Sequence, residues 1–297
     1  MDHITVCICT FKRPKLLARL LHELGRQETA QLFTYEAVVV DNDHLQSAKP
    51  IVAEAVATRR IAVQYCVEGR QNIALARNLA LTHAHGNLIA FFDDDQFPPE
   101  NWLLTLYQAL QRHHVAGVLG PVKPFFETQP PSWVIKGKFC ERATYPTGSV
   151  INWRMGRTGN VLLKRFLFND LDQPFRPEFV TGEDQDFFRR MIESGHKFIW
   201  CDEAVAYEAV SPNRWSLKFM LRRALLRGKV SIRHRTGQVC AVAQSMIALP
   251  LYVVSLPFLL LFGYHQFIKY LIKIFDHAGR ILSVLGINPS DEIYVAD

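Results

Sequence analysis

Leu88-Ile89-Ala90-Phe91-Phe92-Asp93-Asp94-Asp95 decides the fold, because an uninterrupted apolar run delivers three carboxylates to the point where a strand must end. The apolar residues predict a strand buried on both faces, as in parallel sheets. Open parallel sheets bind ligands beyond the carboxyl ends of their strands. Asp93 and Asp95, two apart, point to the same side if strand geometry persists through the run. Hard oxygen donors favour Mg²⁺ or Mn²⁺, and one or two carboxylates plus substrate phosphates are the usual Mg²⁺ arrangement. A solvated acidic turn is the alternative reading.

Toward the N-terminus, Ile4-Thr5-Val6-Cys7-Ile8-Cys9 is a second β-prone run, ending at Thr10-Phe11-Lys12-Arg13-Pro14. Pro14 suits the first turn of a helix, and Leu16, Leu17, Leu20, Leu21 and Leu24 follow at helical spacing. Residues 35–40 are again apolar and end in Asp41-Asn42-Asp43, so strand, helix and strand form a βαβ unit. Residues 62–67 predict a further strand. Residues 72–83 predict a helix, with Ile73, Ala76, Leu79 and Ala80 in a stripe around Arg77-Asn78. Three strands thus end in polar groups: Thr10 with Arg13, Asp41 with Asp43, and Asp93 with Asp95. Carboxylates near a base or ribose and cations near phosphate complement a nucleotide diphosphate. Turn chemistry explains any one of these ends alone, since Asp and Asn favour turns. Neither GxGxxG nor GxxxxGK[ST] occurs, so the two commonest phosphate loops lack support.

Thr181-Gly182-Glu183-Asp184-Gln185-Asp186 opens a second predicted helix, with Phe187, Phe188, Met191 and Ile192 as its buried stripe. Acids in a first turn are stabilised by roughly 0.3–1 kcal/mol and can cap the helix. The sharper reading makes Asp184 a general base, because an attacking hydroxyl needs a positioned acceptor for its proton. Glu183 would then orient a substrate hydroxyl, and Asp186 would be a cap or surface charge.

These segments resemble the family 2 glycosyltransferases, through Cys9-Thr10-Phe11-Lys12-Arg13-Pro14, Val40-Asp41-Asn42-Asp43, Ala76-Arg77-Asn78, Phe92-Asp93-Asp94-Asp95 with Pro98 and Trp102, Thr158-Gly159-Asn160, and Gly182-Glu183-Asp184. Within that family the chain is most similar to succinoglycan-biosynthesis glucosyltransferases of the ExoM type, through Leu119-Gly120-Pro121-Val122, residues 182–188, Tyr207-Glu208-Ala209-Val210 and Asn213-Arg214. The resemblance implies a GT-A nucleotide-diphospho-sugar transferase fold, a Rossmann-like mixed α/β sheet flanked by helices. It also implies inverting transfer of one hexose from a nucleotide sugar. Asp93 and Asp95 match its metal-binding DXD positions, with Asp94 at the middle, facing the ribose or donor sugar. Thr10, Arg13, Asp41 and Arg77 match nucleotide and diphosphate positions, Asp184 matches the base, and Asn160 with Glu183 falls on the acceptor side. The Gln-x-x-Arg-Trp motif of processive members lacks its full spacing here, where Asn213-Arg214-Trp215 stands, which favours one addition over polymerisation. The implied donor is UDP-glucose or another UDP-hexose, the cofactor Mg²⁺ or Mn²⁺, and the acceptor a lipid-linked saccharide in exopolysaccharide or lipopolysaccharide synthesis. Transfer onto polyprenyl phosphate is the rival within the enzyme class, and a catalytically silent nucleotide-binding scaffold the rival outside it.

At 297 residues the chain is ample for one or two domains. Its six cysteines are too scattered for a zinc pattern and too few for a disulfide scaffold, which fits a reduced cytosolic setting. Met1-Asp2-His3 leads directly into the first strand, so no signal peptide is expected. Residues 121–146, rich in Pro, Gly and aromatics, suggest a long irregular segment whose aromatics mostly plug the core. Net charge is +6, with Lys218, Arg222, Arg223, Arg227, Lys229, Arg233 and Arg235 crowding one helical stretch before the uncharged span 236–268. Cations beside so apolar a segment point to anionic lipid and not to nucleic acid. Pro250 and Pro257 interrupt that span and cations flank both ends, so one crossing, a Pro-broken hairpin, an in-plane helix and a packed helix all remain open. The expected organisation is a catalytic domain over 1–235 and an apolar helical extension over 236–297, at the cytoplasmic face of a bacterial inner membrane.

Overall fold

The computed structural model describes residues 1–287 apart from 59, 180 and 234–237. The boundary expected at 235/236 lies outside the described residues. The chain forms two compact units, one from Met1–Phe125 with Arg142–Ala209, the other from Phe126–Glu141 with Val210 onward.

The first unit opens with β1 (Asp2–Thr10), α1 (Pro14–Leu24), β2 (Phe33–Asp41), α2 (Lys49–Ala57), β3 (Val63–Val67), α3 (Ile73–His83) and β4 (Leu88–Asp93). β5 (Gln96–Phe97), α4 (Trp102–His113), β6 (Gly117–Leu119) and β7 (Val122–Phe125) follow. In the second unit lies α5 (Ser132–Gly137). The chain returns to the first unit for β8 (Asn160–Lys164), α6 (Glu183–Glu193), β9 (Phe198–Trp200) and β10 (Ala206–Ala209). The second unit then continues with α7 (Leu217–Arg233), α8 (Gln238–Leu259) and α9 (Tyr264–Val284). The strand-helix alternation expected for the N-terminal half is present. Helix α2 was not anticipated from the sequence.

The main sheet has the order β3-β2-β1-β4-β8-β6-β9. β3, β2, β1 and β4 are parallel, β8 is antiparallel to both its neighbours, and β6 pairs parallel with β9. Apolar residues on both strand faces feed two cores, one around Ile4, Val6, Leu17, Leu20 and Trp102, the other around Cys7, Val38, Phe91, Phe175 and Phe187. Full burial on both sides is why β1 and β4 read as continuous apolar runs. Pro14 stands in the first turn of α1, and the Asn72 side chain caps α3 by accepting from the N–H groups of Ala74 and Leu75. A small second sheet, β5-β10-β7, begins one residue beyond the acidic run. The segment 121–146 is less irregular than expected, since its start pairs as β7 and its middle coils as α5.

In the second unit, α9 packs against α7 and α8. A Cβ on Gly228 would lie 2.1 Å from the Asp276 carbonyl oxygen, and one on Gly279 2.2 Å from that of Leu225, so the α7 and α9 backbones meet through two glycines. Helix α8 runs through Pro250 and Pro257 without breaking. Both prolines lie on its exposed side, where helix hydrogen bonds are already the longest. Among the described residues one helix is long and apolar enough to cross a membrane, Val242–Phe262, with mean hydropathy 2.2.

Gly279→Val is expected to force α7 and α9 apart and destabilise the second unit by about 1–3 kcal/mol, the usual cost of overpacking. Urea unfolding checks this; unchanged stability would mean the close crossing does not hold the unit.

Candidate active site

Parallel pairing brings the three polar strand ends to one sheet edge. In register, Thr10 lies opposite Asp41 and Cys9 opposite Asp93. The Thr10 hydroxyl donates to Asp94 Oδ2 at 2.8 Å, and Arg13 Nη1 donates to Asp94 Oδ1 at 3.0 Å and reaches Asp95 Oδ2 at 3.4 Å. Burial pushes the Asp94 pKa up, against the pull of Arg13 and Thr10. The strand geometry behind the same-side expectation for Asp93 and Asp95 ends at Asp93, where β4 stops. The two carboxylates consequently have different partners. Asp95 is buried beside Arg13, whereas the Asp93 side chain is 38% exposed and lies 3.8 Å from Arg77 Nη2.

Arg77 is the bridge to the second acidic segment. It projects from α3, buried, and its Nη1 ion-pairs with Glu183 Oε1 while its Nη2 lies near Asp93. The guanidinium also sits over the Phe175 ring, 5.7 Å from its centroid. Burial raises the Glu183 pKa to about 7, with Arg77 opposing and Asp184 adding to the rise. Burial likewise lifts the Cys9 thiol to about 12, so it is no nucleophile. Beside Arg77, Asn78 clamps the Phe175 backbone from both sides, donating to its carbonyl at 2.7 Å and accepting its N–H at 2.9 Å. Asn72 adds a bond to the Pro177 carbonyl at 3.0 Å. The segment leading to α6 is therefore tied to α3, which explains the Arg77-Asn78 pair in chemical terms.

Gly182 precedes α6 with φ +87°, a left-handed conformation that favours glycine. The N-cap residue is Gly182, which has no side chain to cap the helix, and of the first-turn acids Asp184 takes up one free N–H. Asp184 is half-buried and its Oδ1 accepts from the Gln185 N–H at 2.7 Å. Asp186 is no surface charge: it is buried, bonded to Arg190 Nε at 2.9 Å and 3.6 Å from Arg176.

Two residues stand differently from their sequence reading. Asn160 is buried, and its amide is consumed by Trp102 Nε1 at 2.8 Å and by the Pro121 and Ala204 carbonyls at 2.9 and 2.8 Å. It is a cross-brace of the core, so its side chain does not serve the acceptor side. Asp41 is fully buried and already accepts from the Asp43 and Ala48 N–H groups and the Tyr65 hydroxyl, fixing the loop after β2.

Gln96 is a residue beside the acidic edge that the sequence reading missed, and Gly159, read there only as part of Thr158-Gly159-Asn160, lies against Asp93. Gln96 Nε2 donates to Asp93 Oδ2 at 3.2 Å, while its buried Oε1 has no hydrogen-bond partner among the described residues. A Cβ on Gly159 would come within 2.6 Å of Asp93 Oδ2, so only glycine leaves that carboxylate its space. The adjacency of Gln96 to the three acids was the available signal. Among the described residues no group of three or more His, Cys, Asp or Glu side chains is set to hold a metal. An open carboxylate beside an unpartnered amide oxygen nevertheless fits the hard-oxygen preference of Mg²⁺ or Mn²⁺.

The family model for glycosyl transferase family 2 matches residues 5–172. The succinoglycan biosynthesis protein ExoM of Rhizobium meliloti (strain 1021) is 31% identical over 229 residues, 76% of this chain and 73% of that protein. Among solved structures, the mannosyltransferase PcManGT from Pyrobaculum calidifontis, in complex with GDP-Man and Mn²⁺, matches with TM-score 0.64 at 20% identity, over 96% of this chain and 88% of that one. S. aureus TarS 1–349 in complex with UDP matches with TM-score 0.56 at 17% identity, over 99% and 95%. Against the longer TarS chain the match spans 40% of its length. At these identities the two structures report fold alone.

Folding raises the Glu183 pKa from 4.5 to about 7. Between those values the folded chain keeps a proton that the unfolded chain has lost, so stability from this group is full below about 4.5 and gone above about 7. Glu183→Gln cannot titrate, so the gap in unfolding free energy between wild type and variant is expected to narrow as pH rises through that window. Denaturant titrations across pH check this; a gap independent of pH would mean Glu183 stays ionised.

Proposed function

The chain belongs to glycosyl transferase family 2 and has the GT-A fold, and from that premise we propose that it transfers one hexose, with inversion, from a nucleotide sugar to a lipid-linked saccharide. The observation that carries this reading is Arg77, one buried cation within reach of both the Asp93 edge and the Glu183-Asp184 helix start. A donor at the sheet edge and an acceptor at α6 would then meet across a single side chain.

Thr10, Arg13 and Asp94 would receive the nucleotide and diphosphate, with Arg13 as the cation and Asp94 as its buried counter-charge. Asp41 would contribute indirectly, through the loop it fixes. Asp93 and Asp95, with Gln96 beside them, would hold Mg²⁺ or Mn²⁺, which when bound neutralises charge on the departing diphosphate. Solved relatives of this fold carry Mn²⁺ and GDP-Man or UDP, which supports a nucleotide-sugar donor of this kind.

Asp184 accepts the proton of the acceptor hydroxyl as its oxygen attacks the anomeric carbon, and the bond to the diphosphate breaks with its electron pair on the leaving group. The in-line attack inverts the centre and needs no covalent nucleophile. Glu183, pinned by Arg77, orients the acceptor side, whereas Asp184 keeps a half-buried carboxylate for the proton. Likeness to a succinoglycan biosynthesis protein favours glucose from UDP-glucose and a role in exopolysaccharide or lipopolysaccharide synthesis. The exposed apolar helix Val242–Phe262 supports association with the cytoplasmic face of the membrane, where a lipid-linked acceptor resides.

A screen of nucleotide sugars for metal-dependent binding, followed by product mass on a lipid-linked oligosaccharide, tests the reading; no transfer from any donor would reject it. Asp184→Asn is expected to keep donor affinity and lower transfer by roughly 10²–10⁴, the range for a lost general base. Wild-type turnover with both substrates saturating would remove it from that role. Asp93→Ala is expected to abolish the metal-dependent part of donor binding while the protein stays folded, since that side chain is the most exposed of the three. Calorimetric donor titration with and without EDTA checks it, and unchanged affinity would remove the metal site.

A further inference from the structure

Helices α8 and α9 form an antiparallel pair in register. The Ser245 hydroxyl bonds His277 Nδ1 at 2.9 Å, Tyr252 meets Tyr270 edge-on at 5.3 Å, and the chain reverses at Gly263, φ +105°. Among the described residues nothing covers the outer face of α8. Ile247, Leu251, Val254, Phe258 and Leu261 recur at steps of four and three, each at least 63% exposed, and no charged residue occurs between 238 and 262.

By length and composition this helix could cross a bilayer, but α9 travels with it. Lys273 Nζ lies 5.6 Å from the centroid of the Tyr252 ring, at the middle of the 242–262 span. A crossing would therefore carry Lys273 to mid-bilayer, with Lys269, Asp276 and His277 alongside. Ionisable groups at that depth are strongly disfavoured. An interfacial helix, in contrast, needs an apolar face toward the acyl chains and a cationic face toward the headgroups. Helix α8 supplies the first. The second comes from its neighbours: α9 contributes Lys269, Lys273 and Arg280, and α7 has cations and no carboxylate over its 17 residues. Arg227 Nε donates to Asp276 at 2.9 Å, holding α7 to that cationic side.

We propose that α8 lies in the membrane plane, at the acyl-headgroup boundary of a single leaflet rich in anionic lipid, and does not cross. This rests on the membrane association proposed above and fixes its geometry. A protein so held remains on one side of the bilayer and meets its lipid-linked acceptor by lateral diffusion.

The test uses the full chain with preformed phosphatidylglycerol-phosphatidylethanolamine vesicles. An NBD fluorophore is placed on cysteines at Ile247, Val254 and Leu261 in turn, and the parent protein put through the same labelling gives the blank for its native cysteines. Equal, shallow quenching by depth-graded nitroxide lipids at all three positions, with equal reduction by external dithionite, is expected. Deep Val254 with Leu261 protected from dithionite would overturn the proposal in favour of a crossing, and depth increasing steadily toward Leu261 would overturn it in favour of a hairpin tip. Flotation of unlabelled protein is scored separately: attached protein with unequal depths rejects only the in-plane geometry, whereas protein that stays at the bottom rejects membrane association itself. Leu251→Asp with Val254→Asp is expected to cut the floated fraction roughly tenfold or more and leave donor hydrolysis unchanged. If instead it splits a dimer in solution, the face is a contact between copies and the proposal fails.

Discussion

Everything at the candidate site depends on one buried cation. Arg77 has an anionic partner on each side, Asp93 at the end of a central strand and Glu183 at the start of a helix more than a hundred residues later. Only the Glu183 pair is buried on both sides, and removing one partner of a buried pair leaves an uncompensated charge, at a cost of about 3–5 kcal/mol. The arginine therefore holds the two acidic segments to one position. Burial raises the Glu183 pKa to about 7 against the pull of Arg77, and next to it the half-buried Asp184 accepts the Gln185 N–H.

The same economy runs along the sheet edge. Of three adjacent acids, two are turned onto Arg13 and only Asp93 stays substantially open. Neutral side chains do the scaffolding. Asn72 and Asn78 tie the 175–177 segment to α3, Asn160 braces the core behind the edge, and Gly159 leaves room for the Asp93 carboxylate. Each carries several hydrogen bonds or a close approach that an apolar or larger residue cannot reproduce.

In the second unit, composition and context point in different directions. Taken alone, α8 has the length and hydropathy of a membrane span. Its partner α9 brings ionisable groups to the same depth, and two glycines lock α9 to the cationic α7. The helices form one object with an apolar front and a cationic back, and the front alone cannot be assigned a depth.

The sequence by itself determined β1 to β4 with α1 and α3, though not α2, because doubly buried strands and strongly one-sided helices leave clear periodicities. It also marked Thr10, Arg13, Asp93–95, Arg77 and Glu183-Asp184 as the polar groups at element ends. What it could not determine was the use of each group. Asn160 and Asp41 look as available as Asp93 in one dimension, but long-range pairing saturates Asn160 with Trp102, Pro121 and Ala204, and Asp41 with its own loop and Tyr65. The split between Asp93 and Asp95 likewise followed from where β4 stops pairing. The partners of Asn160 lie 39 to 58 residues away, and a bond over that separation leaves no local pattern, so only the tertiary structure decided which polar groups are spent on the fold.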